Sequence, residues 1–330
     1  MIEFNHISNP GYHPTPEFEG GKVNAKWVGS GKQLLGLPDE FDPAMYQRLL
    51  AGLNPHDGSR LSARLSKVRR MGWDVTTTNE KDVAVLELVA GDDRIAKLRE
   101  EAMDFVVKRL EKQIGVRVRQ GGKNSDRLTD VLVGAAFSHE TNRLAEPHGH
   151  WHICVANLSF DKKESKWKAV ELVNVDRPKL VRDYHRFMAK GLRGLGYRVK
   201  THGNRYDIQG VPDVADRFST RNKQIKGKEA EYDQAAKDKG SKPMSDKARA
   251  KLSLYDRPPK VGNGSREAMH RSWVDKLDEP ERMGLELAVK RARAKVRAES
   301  WAVDARMAFE RQRGVERAYD EPERSSGRTR

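Results

Sequence analysis

Three histidines at alternate positions of one short segment constrain the fold of this 330-residue chain more than any other feature. Residues 146–157 carry His148, His150 and His152. Because residues 153–158 are apolar and largely favour β structure, a strand is a better interpretation than a helix. The side chains of a strand alternate between its two faces, so the three imidazoles would lie on one side.

A fourth histidine, His139, follows a second apolar run and indicates a metal site. If two adjacent strands carry these segments, three imidazoles can bind one metal ion and leave open positions for substrate. We favour His139, His150 and His152 as the ligands, because a hydrophobic residue separates the last two. His148 then borders the metal or faces the substrate. The alternative is that some of the four are ordinary surface histidines.

The charge of the chain favours a polyanionic partner. It has 63 Lys and Arg against 48 Asp and Glu, a net charge of +15 and a pI near 9.8, which is typical of nucleic-acid binding. A solvated basic surface is the alternative. The single cysteine, Cys154, excludes an internal disulfide framework and a cysteine-based zinc finger, and its apolar surroundings indicate a buried small side chain.

The order of strand and helix patterns predicts an α+β fold. A central antiparallel sheet would carry the histidines, helices would pack against it, and only helices are expected from residue 212 onward. No apolar run reaches membrane-spanning length and the N-terminus has no signal-peptide pattern, so we expect a soluble protein without membrane insertion. Strands are predicted at residues 1–8, 73–77 and 116–118, helices at 43–50, 83–90, 94–113 and 178–195, and a hairpin at 197–208.

The composition shifts near Arg221 and divides the chain. We predict a catalytic core at residues 1–221, a basic and mainly helical region at 222–322 that could clamp DNA, and a disordered tail at 323–330. A basic run on one predicted helix could track phosphates, although such runs are usually solvated faces. Its members are Lys290, Arg291, Arg293, Lys295 and Arg297.

Several motifs resemble those of the TrwC/TraI-type (MOBF) conjugative relaxases, which are DNA-nicking enzymes of the HUH endonuclease superfamily. The specific signal is the eleven-residue step from His139 to His150, followed by His152. The resemblance covers about residues 27–225. Further matching segments are residues 49–52, 72–76, 137–143, 146–147, 156–157, 166–169 and 218–221.

The resemblance implies an HUH-type palm and strand-specific nicking of single-stranded DNA at an origin of transfer. In that chemistry a tyrosine hydroxyl attacks the scissile phosphate and forms a 5′-phosphotyrosyl link, which can be reversed to religate the strand. The expected cofactor is a divalent metal ion, Mg²⁺ or Mn²⁺ before other transition metals. The expected partners are an origin of transfer with a hairpin, relaxosome accessory proteins and a coupling protein, and the expected location is the bacterial cytoplasm.

The resemblance also suggests roles for single residues. Tyr12 is the candidate nucleophile, because the family places its tyrosines near the N-terminus and Tyr46 lies in a predicted helix. Asp74 could be the base that activates the tyrosine, or could orient a ligand histidine by accepting its second ring N–H. Lys81 and Arg143 are expected near the metal or facing the substrate.

Three other functions stay open at this point. A rolling-circle replication initiator would use the same chemistry, a metallohydrolase would use a metal-bound water, and a basic DNA-binding protein could carry a decayed site. The chain departs from the family where Gly149 replaces a bulky apolar residue and where no second tyrosine accompanies Tyr12. It has no Walker motif, so we expect a relaxase domain without a helicase.

Overall fold

The computed structural model describes residues 1–9, 11, 13, 15–61, 70–173, 175–245, 248–249 and 264–319. Its strands, in chain order, are β1 (Ile2–Ile7), β2 (Ala25–Val28), β3 (Gly72–Thr78), β4 (Ile114–Gln120), β5 (Lys123–Leu128), β6 (Gly134–Thr141), β7 (Pro147–Ala156), β8 (Ser159–Asp161), β9 (Lys166–Lys168), β10 (Val170–Leu172), β11 (Arg198–His202) and β12 (Arg205–Gln209). A five-stranded sheet with the order β1-β3-β7-β6-β2 forms the centre, and all its neighbouring strands are antiparallel. The predicted α+β fold is therefore confirmed.

The described helices are α1 (Gly31–Leu34), α2 (Pro43–Leu50), α3 (Lys81–Leu88), α4 (Asp93–Glu111), α5 (Arg177–Gly194), a 3-10 helix (Ala215–Phe218), α6 (Thr220–Asp238), α7 (Arg266–Val274) and α8 (Glu279–Tyr319). Helix α2 begins as predicted, because the Asp42 carboxylate accepts the backbone N–H groups of Ala44 and Met45 at 2.7 and 2.9 Å. The helix predicted at residues 83–90 begins two residues earlier. None of the described helices is long and apolar enough to cross a bilayer.

The central sheet separates two hydrophobic clusters. On one face α3 and α4 pack against the sheet and bury Trp151 and Ile153 of β7. On the other face α2 places Tyr46 against Phe137 and Cys154. Because side chains alternate along a strand, the histidines of β6 and β7 continue this second face beyond the part that α2 covers.

The C-terminal helices pack back onto the core. Trp273 of α7 is buried, and its indole N–H donates to the carbonyl of Ala145 in the β6–β7 turn at 2.7 Å. Leu285 and Val289 of α8 are also buried. The boundary predicted after residue 221 falls within α6, and its role as a domain boundary stays a prediction; the tail predicted at 323–330 lies outside the described residues.

Candidate metal centre

The register of β6 and β7 brings the three predicted ligands together. His139 lies opposite His150, and His152 follows on the same face of β7. The ring centroids of His139 and His150 are 5.4 Å apart, those of His150 and His152 5.0 Å, and those of His139 and His152 5.4 Å. Imidazoles on one tetrahedral metal ion would have centroids about 5.2 Å apart, given a metal–nitrogen bond of about 2.05 Å. The spacing fits one metal ion, and the ligand assignment itself stays a prediction.

Asp74 of β3 holds the ring of His152. The Nδ1–H of His152 donates to the buried carboxylate at 2.9 and 3.0 Å, and the hydroxyl of Thr76 donates to the same carboxylate at 3.3 Å. Burial by itself would raise the pKa of Asp74, but contacts with His13 and His152 outweigh it and hold the pKa below its usual range. Asp74 was considered as the base for the tyrosine or as the group that orients a ligand histidine. This geometry supports the orienting role, because it leaves Nε2 of His152 free to bind a metal through its lone pair.

The other two predicted ligands also have one ring nitrogen engaged. The Nδ1–H of His150 donates to the carbonyl of His148 at 2.7 Å. Burial, followed by the charge of neighbouring histidines, lowers the pKa of His150 well below its usual value, so the ring is neutral. Nδ1 of His139 lies 3.7 Å from the carboxylate of Glu17. Its Nε2 is buried and has no hydrogen-bond partner among the residues that the structure describes, which fits a nitrogen that binds a metal.

A further histidine at this site, His13 of the N-terminal loop, was missed by sequence reasoning. Its ring centroid lies 4.0 Å from that of His152 and 5.4 Å from that of His139. One nitrogen of each of these three histidines lies within 4.8 Å of the others, a cluster that does not include His150. Burial lowers the pKa of His13 to about 4, so the ring is neutral at pH 7. The one signal for it was its place directly after Tyr12.

Glu17 was also missed, and it fixes the N-terminal loop to β6. The pairing of β6 and β7 is irregular between His139 and Thr141, as in a β-bulge. The Glu17 carboxylate accepts the backbone N–H of Glu140 at 2.8 Å, that of Thr141 at 2.8 Å and the Thr141 hydroxyl at 2.6 Å. Burial would raise its pKa, but contacts with His139 and Thr141 outweigh this and lower it. No spacing in the sequence connects residues this far apart.

The three residues expected around the metal occupy different positions. Lys81, at the start of α3, donates to the carbonyl of Pro147 at 3.0 Å, and burial lowers its pKa. His148 is half-buried, with its ring centroid 4.8 Å from that of His150. Arg143 is exposed in the β6–β7 turn. Their roles toward metal or substrate stay predictions.

A buried ion pair beneath β7 explains why the sequence departs from the family pattern at Gly149. Arg99 of α4 and Glu87 of α3 approach to 2.7 Å, and Arg99 also donates to the carbonyl of His150 and the hydroxyl of Ser138, each at 3.3 Å. A Cβ at Gly149 would lie 2.9 Å from a carboxylate oxygen of Glu87 and 3.0 Å from Nε of Arg99. Any larger residue at this position would therefore have to displace the buried ion pair.

Two tyrosines were weighed as the nucleophile. Tyr12, the predicted one, lies outside the described residues and stays a prediction. Tyr46 is fully buried between Phe41 and Phe137, with ring centroids 5.7 and 5.2 Å away, which confirms it as a packing residue. Cys154 is fully buried as well, and burial raises the pKa of its thiol.

The basic run on α8 makes several contacts with acidic groups. Lys290 lies 3.3 Å from Glu286, Arg293 lies 3.1 Å from Asp93, and Lys295 lies 3.8 Å from Glu299. The other two predicted DNA-binding residues, Arg291 and Arg297, are exposed. Exposed ion pairs such as those of Lys290 and Lys295 are weak, so phosphates can compete for these two side chains. Arg293 also donates to the buried carboxylate of Asp92 at 3.3 Å. DNA binding by the five residues stays a prediction.

A cavity of about 590 Å³ borders the histidines. The N-terminal loop, β6 and the first residues of α7 form its walls, and His13, Glu17 and His139 line it. Arg266 of α7 reaches across to Glu140 of β6 and donates two hydrogen bonds at 2.8 and 2.9 Å. The cavity therefore reaches the candidate metal site at His139, and it offers space for a ligand between the N-terminal loop and α7.

Comparisons with known proteins agree with this architecture. A family model described as TrwC relaxase matches residues 11–280. Since this is well over half of the 330 residues, the chain belongs to the TrwC relaxase family, and the predicted resemblance is confirmed.

Individual relatives give the extent of the similarity. The multifunctional conjugation protein TraI of Escherichia coli is 31% identical over 221 residues, which cover 62% of this chain and 12% of TraI. Thus this chain matches only a small part of that relative. Two structures of the conjugative relaxase TrwC in complex with OriT DNA superpose with a TM-score of 0.71. The metal-free one is 26% identical and the metal-bound one 25%, and each comparison covers 84% of this chain and 97% of TrwC.

Proposed function

We propose that this chain nicks one strand of DNA at an origin of transfer and can rejoin it. The observation that carries the proposal is the histidine face of β6 and β7, where the centroids of three imidazole rings lie 5.0 to 5.4 Å apart, close to the spacing of ligands on one metal ion. Membership of the TrwC relaxase family and the similarity to TrwC bound to OriT DNA support the same function.

The chemistry that we propose is a transesterification. The hydroxyl of Tyr12 attacks the scissile phosphorus, the bond to the 3′-oxygen breaks, and the products are a 5′-phosphotyrosyl link and a free 3′-hydroxyl. No water is consumed, so the 3′-hydroxyl can attack in reverse and restore the strand. A proton must leave the phenol, whose usual pKa is about 10, and this requires a nearby acceptor or positive charge.

His139, His150 and His152 would hold the metal ion in this proposal. A bound divalent metal supplies positive charge that polarises the phosphate and stabilises charge on its oxygens. Asp74 keeps the ring of His152 in the tautomer with a free Nε2. The Glu17 carboxylate lies 3.7 Å from Nδ1 of His139 and leaves its Nε2 for the metal in the same way. We propose Mg²⁺ or Mn²⁺ as the ion. Other transition metals are alternatives, because imidazole ligands suit Zn²⁺, Cu²⁺, Fe²⁺ and Ni²⁺.

The proposed substrate is single-stranded DNA next to a hairpin, bound in the bacterial cytoplasm. The net charge of +15 supports a polyanionic ligand, and the cavity beside His139 offers space next to the metal site. Relaxosome accessory proteins and a coupling protein are proposed partners on the strength of the family alone.

One experiment tests the proposal directly. A labelled single-stranded oligonucleotide from the origin of its own replicon is incubated with the protein and Mg²⁺ or Mn²⁺, and covalent adducts are separated by denaturing electrophoresis. We expect a metal-dependent adduct that Tyr12→Phe abolishes and that the buried-tyrosine control Tyr46→Phe retains. Cleavage by Tyr12→Phe without any adduct would instead identify a metallohydrolase, and a mapped peptide carrying another tyrosine would refute the nucleophile.

A further inference from the structure

His13 is a titratable side chain at the histidine face that the proposed function does not use. It comes from the N-terminal loop, whereas the predicted ligands come from the sheet. Its side chain is only 19% exposed, and its ring is enclosed by those of Phe137, His139 and His152. Its backbone has a φ of 67°, which is uncommon for a residue other than glycine.

The distances around His13 are compatible with binding the same ion. Nitrogens of His13, His139 and His152 all lie within 4.8 Å of one another. Two nitrogens on a tetrahedral ion are about 3.4 Å apart, so a shortening of about 1.4 Å at most would bring the nitrogens of these three histidines to that spacing. His150 is not part of this cluster and would have to turn a nitrogen toward the same point. The centroid distance of 5.4 Å to His139 already matches the spacing of the sheet histidines, while that of 4.0 Å to His152 must lengthen.

Glu17, on the same loop as His13, is fixed to β6 independently of any metal. Four residues later, Glu17 accepts three hydrogen bonds from Glu140 and Thr141 of β6. This contact holds Glu17 against the strand that carries His139. Glu17 therefore keeps His13 close to the histidine face while the His13 side chain adjusts.

We propose that His13 is a fourth nitrogen donor to the metal ion of this site. The inference rests on the metal site of the proposed function, where an ion that expands to five-coordination keeps one position for a phosphate oxygen beside four imidazoles. It adds two consequences. First, metal binding and docking of the N-terminal loop become one coupled equilibrium, because one ligand belongs to that loop. Second, a set of four imidazoles favours borderline ions such as Zn²⁺, Ni²⁺ and Co²⁺ over Mg²⁺ and Mn²⁺, which prefer oxygen ligands.

The test measures metal affinity without DNA. Zn²⁺ and Mn²⁺ are titrated into the protein in competition with a chromophoric chelator, for wild type, His13→Ala and His152→Ala. The matched control is His6→Ala, since His6 is exposed on β1 and packs on Trp73. We expect His13→Ala to lose Zn²⁺ affinity by about tenfold or more, to lose less for Mn²⁺, and His6→Ala to stay within about twofold.

A second measurement distinguishes the loss of a metal ligand from misfolding of the variant. The visible absorption of bound Co²⁺ reports the donor set, and His13→Asn, whose shorter side chain cannot reach the ion in the same way, should change this spectrum as His13→Ala does. Circular dichroism establishes that both variants are folded.

The outcomes separate this inference from the proposed function. Unchanged Zn²⁺ affinity and an unchanged Co²⁺ spectrum in both His13 variants, with loss in His152→Ala, would overturn it and leave His13 as a packing neighbour of Asp74, 3.8 Å away. Oligonucleotide cleavage is scored separately. A wild type that binds Zn²⁺ through His13 but forms no DNA adduct would refute the nicking function and leave the fourth ligand intact.

Discussion

Replacing Glu17 by glutamine is expected to release the N-terminal loop from strand β6. The carboxylate accepts two backbone N–H groups and one hydroxyl, and its side chain is only 9% exposed. An amide keeps the shape but replaces one acceptor oxygen with an NH₂ group. If that group faces Thr141, the backbone N–H and the hydroxyl of Thr141 lose their acceptor; if it faces Glu140, the N–H of Glu140 keeps only its longer contact of 3.1 Å to the remaining oxygen.

The magnitude follows from these contacts. A buried donor left without an acceptor costs about 1–3 kcal/mol, and hydrogen bonds to a charged group are about twice as strong as neutral ones. We therefore expect loop docking to weaken by about 2–4 kcal/mol, which increases the undocked population by about 30- to 1000-fold. This loss of free energy weakens the docking of the loop and not the stability of the whole domain, because Glu17 belongs to neither hydrophobic cluster.

Hydrogen exchange followed by mass spectrometry or NMR measures this change. In Glu17→Gln the amides of Glu140 and Thr141 should exchange faster, while those of the sheet core stay protected. Metal affinity should fall by about 10- to 100-fold, because His139 loses the carboxylate that faces its Nδ1. The control is Glu19→Gln, an exposed carboxylate of the same loop. Equal protection and equal metal affinity in the two variants would refute the reasoning.

Four further predictions concern the site and its supports. Gly149→Ala should destabilise the protein by about 1–3 kcal/mol in denaturant unfolding, because the new Cβ meets the buried arginine–glutamate pair at 2.9 and 3.0 Å. Asp74→Asn should lower metal affinity by about 10- to 100-fold in chelator competition, since an amide holds the ligand ring less firmly. His148→Ala should weaken metal binding far less than His150→Ala; equal losses would mean that the ligand register is wrong. Asp92→Asn should lower stability at neutral pH by about 3 kcal/mol, because the buried carboxylate accepts from two arginines and a tyrosine. Burial would raise the Asp92 pKa, but these partners lower it, so its stabilising effect is present above the usual carboxyl range and lost as the pH falls through the lowered pKa. The stability difference between wild type and Asp92→Asn should therefore shrink on acidification; a difference that is constant with pH would contradict this assignment.

The sequence by itself determined the features that depend on local periodicity. Alternation over residues 146–157 placed three histidines on one face of a strand, and the apolar run before His139 indicated the neighbouring strand. The cap at Asp42 and the packing role of Tyr46 were likewise readable, because capping and helix faces follow from residues within one or two turns. The fold class and the family followed from these same motifs.

Only the tertiary structure decided which distant residues complete the site. His13 and Glu17 contact residues more than a hundred positions away, and no local pattern marks them. The advantage of glycine at position 149 arises from an ion pair between two helices that the strand crosses. Such contacts depend on the register of the sheet, on the irregular pairing at the end of β6 and on how the loop docks. These are set by the packing of the whole domain, because each involves segments that folding alone brings together.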